Sequence, residues 1–398
     1  MKLKIYTAED HNIRENLIDE DALYILKKLH HAGFESYLVG GGVRDLLSNR
    51  VPKDFDISTS ATPNQVKKVF GRRCMLIGRR FRLAHVLFAN KKYIEVATFR
   101  SGTNHESHEL ITRDNEWGTT EEDALRRDFT INALFYEPEE HQIFDYVGGF
   151  KDLEENIIKS IGDPVKRFHQ DPVRMLRLLK FKARANYTID PADIKALKSC
   201  RSEILKSSPM RILEEFFKVL EGGDSLNFFR LLEAYSFMEI LLPIFKATES
   251  DHLKENFFNY LNVVDNINKN SHSPLSRAAI ATAFFFPFVE DLVSKHCTDD
   301  EFHFGSIMNI RQDIMLKIEK NSFFPFPKRL LHQVSYIIDM QFRFTSPLDK
   351  RIYFQRFLRH PDFSTALQFL KIRSLFDEKA LKAYNIWQRR WYASKNKS

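Results

Sequence analysis

The sequence predicts an α/β head followed by an all-α remainder, and three observations carry that reading. Short apolar runs bounded by turn residues recur between Glu35 and Thr98. A glycine turn, Gly40-Gly41-Gly42, joins the first run to a short helical stretch and then to Asp54-Phe55-Asp56-Ile57, which reads as a second strand. From Asp163 onward apolar residues recur at helical spacing almost to the C-terminus, with no convincing strand.

Taken in order, Asp21 to His31 has the spacing of an amphipathic helix. Glu35 to Gly40, with Tyr37, Leu38 and Val39, reads as a buried strand feeding the turn. Arg73 to Ile77, Leu83 to Ala89 and Tyr93 to Thr98 carry the strand pattern, with Lys91-Lys92 at a hairpin turn. Ser101 to Thr120 is polar, holds Gly102 and Gly118 and shows little periodicity, as expected of a mobile loop; loops of such length often serve as active-site lids. Glu121 begins a helical stretch to Arg127, Phe129 to Tyr136 is apolar, and Phe144 to Leu153 is a turn that leaves the head. Pro209, Gly222-Gly223, Pro243, Pro274, Pro325-Phe326-Pro327 and Pro347 punctuate the helical part. The expected organisation is an N-terminal extension (1–20), the head (21–148), a helical neck (149–222), a helical body (223–325) and a helical tail (326–398).

Composition narrows the class. With 43% hydrophobic and 28% charged residues the 398-residue chain has the make-up of a soluble globular protein, not of a disordered one. Its N-terminus lacks a signal-peptide core, and no apolar run approaches the roughly 18 residues of a membrane span. Cys74, Cys200 and Cys297 are odd in number and far apart, which fits a reducing cytoplasm and neither a zinc site nor a disulfide framework. Net charge is +7, and residues 326–398 carry fifteen Lys and Arg against five Asp and Glu. That basic segment, interleaved with Tyr384, Trp387, Trp391 and Tyr392, suits either a polyanionic strand or a solvated helical surface.

The chemistry is concentrated around the glycine turn. Asp54 and Asp56, at i and i+2 of a strand, share a face, and carboxylates roughly 7 Å apart suit a pair of Mg²⁺ ions. Gly41 and Gly42 leave backbone N–H groups at a helix N-terminus, where phosphate binds. Together they describe phosphoryl transfer from a nucleoside triphosphate. Glu95, in a strand beside the Asp54 strand, is a candidate third carboxylate. Arg126-Arg127-Asp128 joins guanidinium forks suited to phosphate oxygens with a carboxylate able to accept a ribose hydroxyl. In Gln170-Asp171-Pro172-Val173-Arg174-Met175-Leu176-Arg177, the residues Asp171, Arg174 and Arg177 fall on one helical side, opposite a core-facing stripe of Val173, Leu176, Leu179 and Ala183. Asp171-Pro172 is also a good helix cap. Gly78-Arg79-Arg80-Phe81-Arg82 reads as a basic hairpin for phosphate or as an exposed strand edge.

The order strand, Gly-Gly, helix, Asp-x-Asp strand resembles the nucleotidyltransferase fold of the polymerase beta superfamily, in particular the branch of bacterial tRNA CCA-adding enzymes and poly(A) polymerases. The resemblance is densest from about residue 37 to 216 and thins through the helical remainder. It implies an α/β nucleotidyltransferase (polymerase beta-like) head followed by an all-α neck, body and tail. It implies that Asp54 and Asp56, with Asp128 or Glu95, hold Mg²⁺, and that Gly41, Gly42 and Arg44 hold the triphosphate. Arg126 and Arg127 would contact ribose and triphosphate, and Asp171, Arg174 and Arg177 would read the incoming base. Many relatives have Glu where this chain has Gln170.

The run Leu76-Ile-Gly-Arg-Arg-Phe-Arg-Leu-Ala-His-Val86 is similar to the signature that separates the bacterial poly(A) polymerases from the CCA-adding enzymes. The expected activity is therefore transfer of AMP from ATP to RNA 3′ ends with release of pyrophosphate, acting in mRNA polyadenylation and RNA turnover in the cytoplasm. Arg79, Arg80, Arg82, Lys328 and Arg329 are the expected RNA contacts, the last two because Pro327-Lys-Arg-Leu330 also looks like the polymerase group. RNA 3′ ends, ATP and RNA-degradation or RNA-chaperone proteins are the expected partners, and no membrane is expected. The rivals are a tRNA CCA-adding enzyme and, in another class, a catalytically silent RNA-binding protein.

Overall fold

A computed structural model describes residues 2–78, 82–101, 116–185, 187–247, 251–270, 274–296, 304–320, 322–323, 325–345 and 357–395. The contacts divide the chain into two compact units, Met1–Ile204 and Leu205–Ser398.

The first unit is built on an eight-stranded sheet. In chain order its strands are β1 (Lys4–Tyr6), β2 (Ser36–Val39), β3 (Asp56–Thr59), β4 (Cys74–Ile77), β5 (Leu83–Leu87), β6 (Tyr93–Thr98), β7 (Leu134–Glu137) and β8 (Gln142–Asp145). In space they run β1-β8-β7-β2-β3-β6-β5-β4. All neighbours are antiparallel except β3 and β6, which pair parallel with Asp56 opposite Glu95. The strands expected from Arg73 to Thr98 are thus present, and the hairpin turn before β6 places Asn90 and Lys91 at positive φ. The expected Asp54 strand starts late: β3 begins at Asp56, and Asp54 lies just ahead of it, after Pro52, whose nitrogen cannot join a ladder.

One sheet face is covered. Helices α1 (Glu20–His31) and α3 (Pro63–Phe70) bring Ile25, Leu29 and Val66 against Ile57, Ala84, Val86, Ile94 and Val96 in a single core. Each helix starts where the sequence provides a cap. The Asp19 side chain accepts from the Asp21 N–H before α1, and Thr62 forms a capping box with Gln65 ahead of Pro63. Between them α2 (Gly41–Leu47) follows β2, and α4 (Thr120–Arg126) starts on a Thr119–Glu122 capping box. The expected lid of 101–120 lies largely outside the described residues, as do Arg79 and Arg80. After β8, the Asp145 carboxylate accepts from the N–H groups of Val147, Gly148, Gly149 and Phe150, which starts α5 (Gly149–Glu154).

Three more helices complete this unit: α6 (Pro164–Gln170), α7 (Val173–Ala185) and α8 (Pro191–Cys200). Two details differ from expectation. A strand does occur after Asp163: Thr188–Ile189 pairs parallel with Ile157–Ile158, a length too short to leave a periodicity signal. And α7 is not two-faced, because Arg174 is buried along with Val173, Met175, Leu176, Leu178 and Leu179.

Among its described residues the second unit contains helices and connecting turns but no strand. It comprises α9 (Pro209–Gly222), α10 (Ser225–Ala234), α11 (Met238–Leu241), α12 (Ile244–Ala247), α13 (Asp251–Asn270), α14 (Arg277–His296), α15 (Phe304–Lys320), α16 (Lys328–Thr345), α17 (Phe363–Arg373) and α18 (Glu378–Lys395). Its core is aromatic: Phe229, Phe257 and Phe284 meet with ring centroids 5.3–6.0 Å apart. Trp387 belongs to such a cluster, buried at 2% exposure against Phe344 and Phe363, so it is a packing residue and not a free surface for a nucleic-acid base. Tyr392 is exposed, as are Lys328 and Arg329 in the first turn of α16. No described helix is long and apolar enough to cross a membrane.

Candidate active site

The glycine turn works through two close approaches. Gly40 has φ +70°, a conformation that side chains disfavour, and a Cβ there would lie 3.5 Å from Arg127 Nη1 and 3.9 Å from Asp56 Oδ2. The turn, the arginine and the aspartate therefore converge on one spot. Gly42 lets α2 lie against the chain entering β3: a Cβ there would be 3.3 Å from the Asp54 carbonyl oxygen.

Register then lines up the acids. Asp56 sits between Val39 on β2 and Glu95 on β6, and Asp54 precedes it by two residues. Asp54 and Asp56 are exposed, and Glu95 is half-buried. The Asp56 pKa is raised to about 6, first by loss of hydration in its recess and then by Glu95 and Asp54, with Arg127 opposing. Glu95 is also raised, by burial, and Arg100 opposes the shift. Hard oxygen ligands held close enough to raise the proton affinity of Asp56 fit a divalent cation, which would relieve that repulsion. Their oxygens do not all lie within 4.8 Å of one another. Among the described residues that condition is met by His30, Glu137 and Glu139, which lie outside this site, on α1 and at the β7–β8 turn.

The arginines are organised from beneath by a residue the sequence reading passed over. Asp123, fully buried in α4, accepts from Arg126 Nε at 2.8 Å, Arg127 Nη2 at 2.9 Å and the Arg100 N–H at 3.2 Å. Burial raises its pKa, but the two guanidiniums outweigh that and hold it below the ordinary value. Arg127 also donates to Ser58 Oγ on β3 and to the Asn132 carbonyl, and it lies 5.1 Å over the Phe135 ring. The spacing Asp123, Arg126, Arg127 at i, i+3 and i+4 was the available signal.

Asp128 faces elsewhere. It is buried, pairs with Arg177 Nη2 at 2.8 Å and accepts from Asn132 Nδ2. Burial opposes its ionisation, yet Arg177 and Arg174 depress its pKa. The acidic row contains Glu95, while Asp128 belongs with the α7 arginines.

Arg44 and Arg174 differ from what the sequence suggested. Arg44 is 5% exposed, gripped by Asp45 and by Asn132 Oδ1 at 2.8 Å, over the Phe181 ring. It braces the glycine helix from inside, its guanidinium 3.6 Å from where a Cβ on Gly41 would lie. Arg174 is likewise buried and donates to the carbonyls of Arg167 and Arg126. Arg167 reaches the same helix end, donating to the carbonyls of Leu125, Arg126 and Arg127. Both arginines satisfy the C-terminal carbonyls of α4 and so set the Arg126-Arg127-Asp128 turn. Arg177 and Asp171 are half-buried, and Arg82 is exposed beside β5.

A glycine turn and an acidic strand pair on one sheet, with an arginine cluster at their edge, define a nucleotidyltransferase head. The comparisons with known proteins agree and are more specific. Residues 36–159 match the poly A polymerase head domain, 186–248 a probable RNA and SrmB-binding site of polymerase A, and 313–398 the polymerase A arginine-rich C-terminus. Poly(A) polymerase I of Salmonella typhimurium is 36% identical over 388 residues, covering 94% of this chain and 82% of its own. A CCA-adding enzyme of Staphylococcus epidermidis is 33% identical over 236 residues, 59% of this chain and 58% of its own. Among solved structures, an apo CCA-adding enzyme aligns with TM-score 0.65 at 20% identity, over 97% of this chain and 87% of that one, a likeness of fold. The chain belongs to the bacterial poly(A) polymerase family.

Proposed function

We propose that this protein is a template-independent poly(A) polymerase that transfers AMP from ATP to RNA 3′ ends and releases pyrophosphate. The observation that carries the reading is the meeting of Gly40, Arg127 and Asp56 beside Glu95, in a chain that aligns with Poly(A) polymerase I over 94% of its length. The family's chemistry uses a divalent cation, and the all-oxygen set of Asp54, Asp56 and Glu95 suits Mg²⁺. Bound there, the metal would activate the 3′ hydroxyl and neutralise the leaving pyrophosphate.

The remaining roles follow from position. Arg127, aimed at the acids from the edge of β3, contacts the triphosphate or ribose, with Arg126 beside it. The backbone N–H groups of Gly41 and Gly42, in the first turn of α2, take the ATP phosphates. Asp171 and Arg177 read the adenine edge, and Arg174 between them holds the strip against α4. Asp128 fixes Arg177. Lys328 and Arg329, with Arg82 on the head, take RNA phosphates. The setting is cytoplasmic mRNA polyadenylation and RNA turnover.

The test is incubation with ATP, CTP and two RNAs, one a generic single strand and one a tRNA lacking its terminal CCA. Long adenylate tracts on both RNAs, with no need for CTP, are expected. Addition of C-C-A to the tRNA with no tract on either RNA would assign the protein to the CCA-adding class instead.

A further inference from the structure

We propose that the open face of the sheet beside Glu95 seats the terminal base of the RNA primer, stacked on the Tyr93–His85 pair. The inference rests on the polymerase reading above and names a binding surface for that same reaction.

Register places the surface. Met75, His85, Glu95 and Asp56 stand opposite one another on β4, β5, β6 and β3, so one row of side chains runs from the sheet edge to the acids. Tyr93 is two residues before Glu95 in β6, on the same face and roughly 7 Å away. The alternate residues, Ala84, Val86, Ile94 and Val96, are buried in the core beneath. On the open face Tyr93 is 55% exposed, Met75 48% and Ile77 37%, a contiguous apolar surface beside a charged site.

The two rings are already stacked, with centroids 4.3 Å apart and planes 5° from parallel. His85 Nε2 lies 3.6 Å from Glu95 Oε2, so the stacked pair stands directly beside the acidic row. A third ring laid on Tyr93 would extend the stack on the face that carries the carboxylates. Single-stranded RNA suits this face better than a protein partner, because exposed cations frame it: Arg72 and Arg73 lead into β4, and Lys91 leads into β6. Stacking accepts any base, which matches an enzyme that must extend unrelated 3′ ends.

The experiment uses the full chain and an oligoadenylate ending in 2-aminopurine, whose fluorescence falls on stacking. Wild type and Tyr93→Phe should quench the probe and show the same KM for RNA at saturating ATP. Tyr93→Ala should lose the quench and raise that KM roughly ten-fold, with the KM for ATP within two-fold of wild type. The proposal is overturned if Tyr93→Ala quenches like wild type. It is equally overturned if the two KM values rise together, which would mean only that the Glu95 strand was disturbed. Because quenching needs no turnover, a wild type that quenches but incorporates no ATP would refute the polymerase reading while supporting the stacking site.

Discussion

Asp56 on β3 and Glu95 on β6 face each other across the one parallel strand pair of the sheet. Burial, and then the nearby Glu95 carboxylate, raise the proton affinity of Asp56, a strain that a divalent cation held there would relieve.

Asp56→Asn should therefore abolish AMP transfer and yet stabilise the metal-free protein. The Asp56 pKa lies at about 6 in the fold, above its ordinary value. Between about pH 4 and 6 the folded state holds a proton the unfolded state has lost, so wild-type stability falls as pH rises through that window. Above pH 6 the variant should be more stable by about 1 kcal/mol, a reduced figure because the carboxylate reaches solvent. The gap should close near pH 4. Adding Mg²⁺ should raise the melting temperature of wild type and not of the variant; equal shifts would count against the metal assignment.

Asp123→Asn should weaken ATP use more than RNA binding. It removes the charge that fixes Arg126 and Arg127 and leaves two guanidiniums against a neutral amide in a buried place. A loss of about 1–3 kcal/mol in kcat/KM for ATP is expected, with a lower melting temperature. Unchanged steady-state kinetics would show that the arginines hold their positions without it.

Arg174→Ala should both destabilise the head, by about 1–3 kcal/mol, and blur the choice among the four nucleotides, because Asp171 and Arg177 lose their frame. Arg174→Lys should not rescue it, since one ammonium cannot replace a fork that reaches the carbonyls of both Arg126 and Arg167. Full selectivity in Arg174→Ala would exclude both a reading and a framing role.

Removing the tail is a poor test of RNA binding, because Phe344, Phe363 and Trp387 are part of the second unit's core. Lys328→Glu with Arg329→Glu changes only exposed charge. It should weaken RNA binding and flatten the dependence of affinity on salt by roughly one to two in log–log slope. A filter-binding titration at several salt concentrations that returned the wild-type slope would place RNA elsewhere.

The sequence alone determined what is local. The strands from Glu35 to Thr98, the glycine turn, the acid pair and the arginine motif are written in periodicity and spacing, which depend only on neighbours along the chain. So is the basic excess after residue 326. Only the tertiary structure decided which groups meet. Glu95 was expected in a strand beside the Asp54 strand, but the parallel register of β3 and β6 is what sets it opposite Asp56, while Asp128, the other candidate, turns towards Arg177. Burial was equally out of reach. Arg44 and Arg174 read as ligand-facing cations, but Asn132, Phe181 and the carbonyls of α4 enclose them. Trp387 read as a surface aromatic and is part of a core. A guanidinium enters an interior only where distant segments supply acceptors for its donors, and spacing along one segment carries no record of acceptors supplied by another.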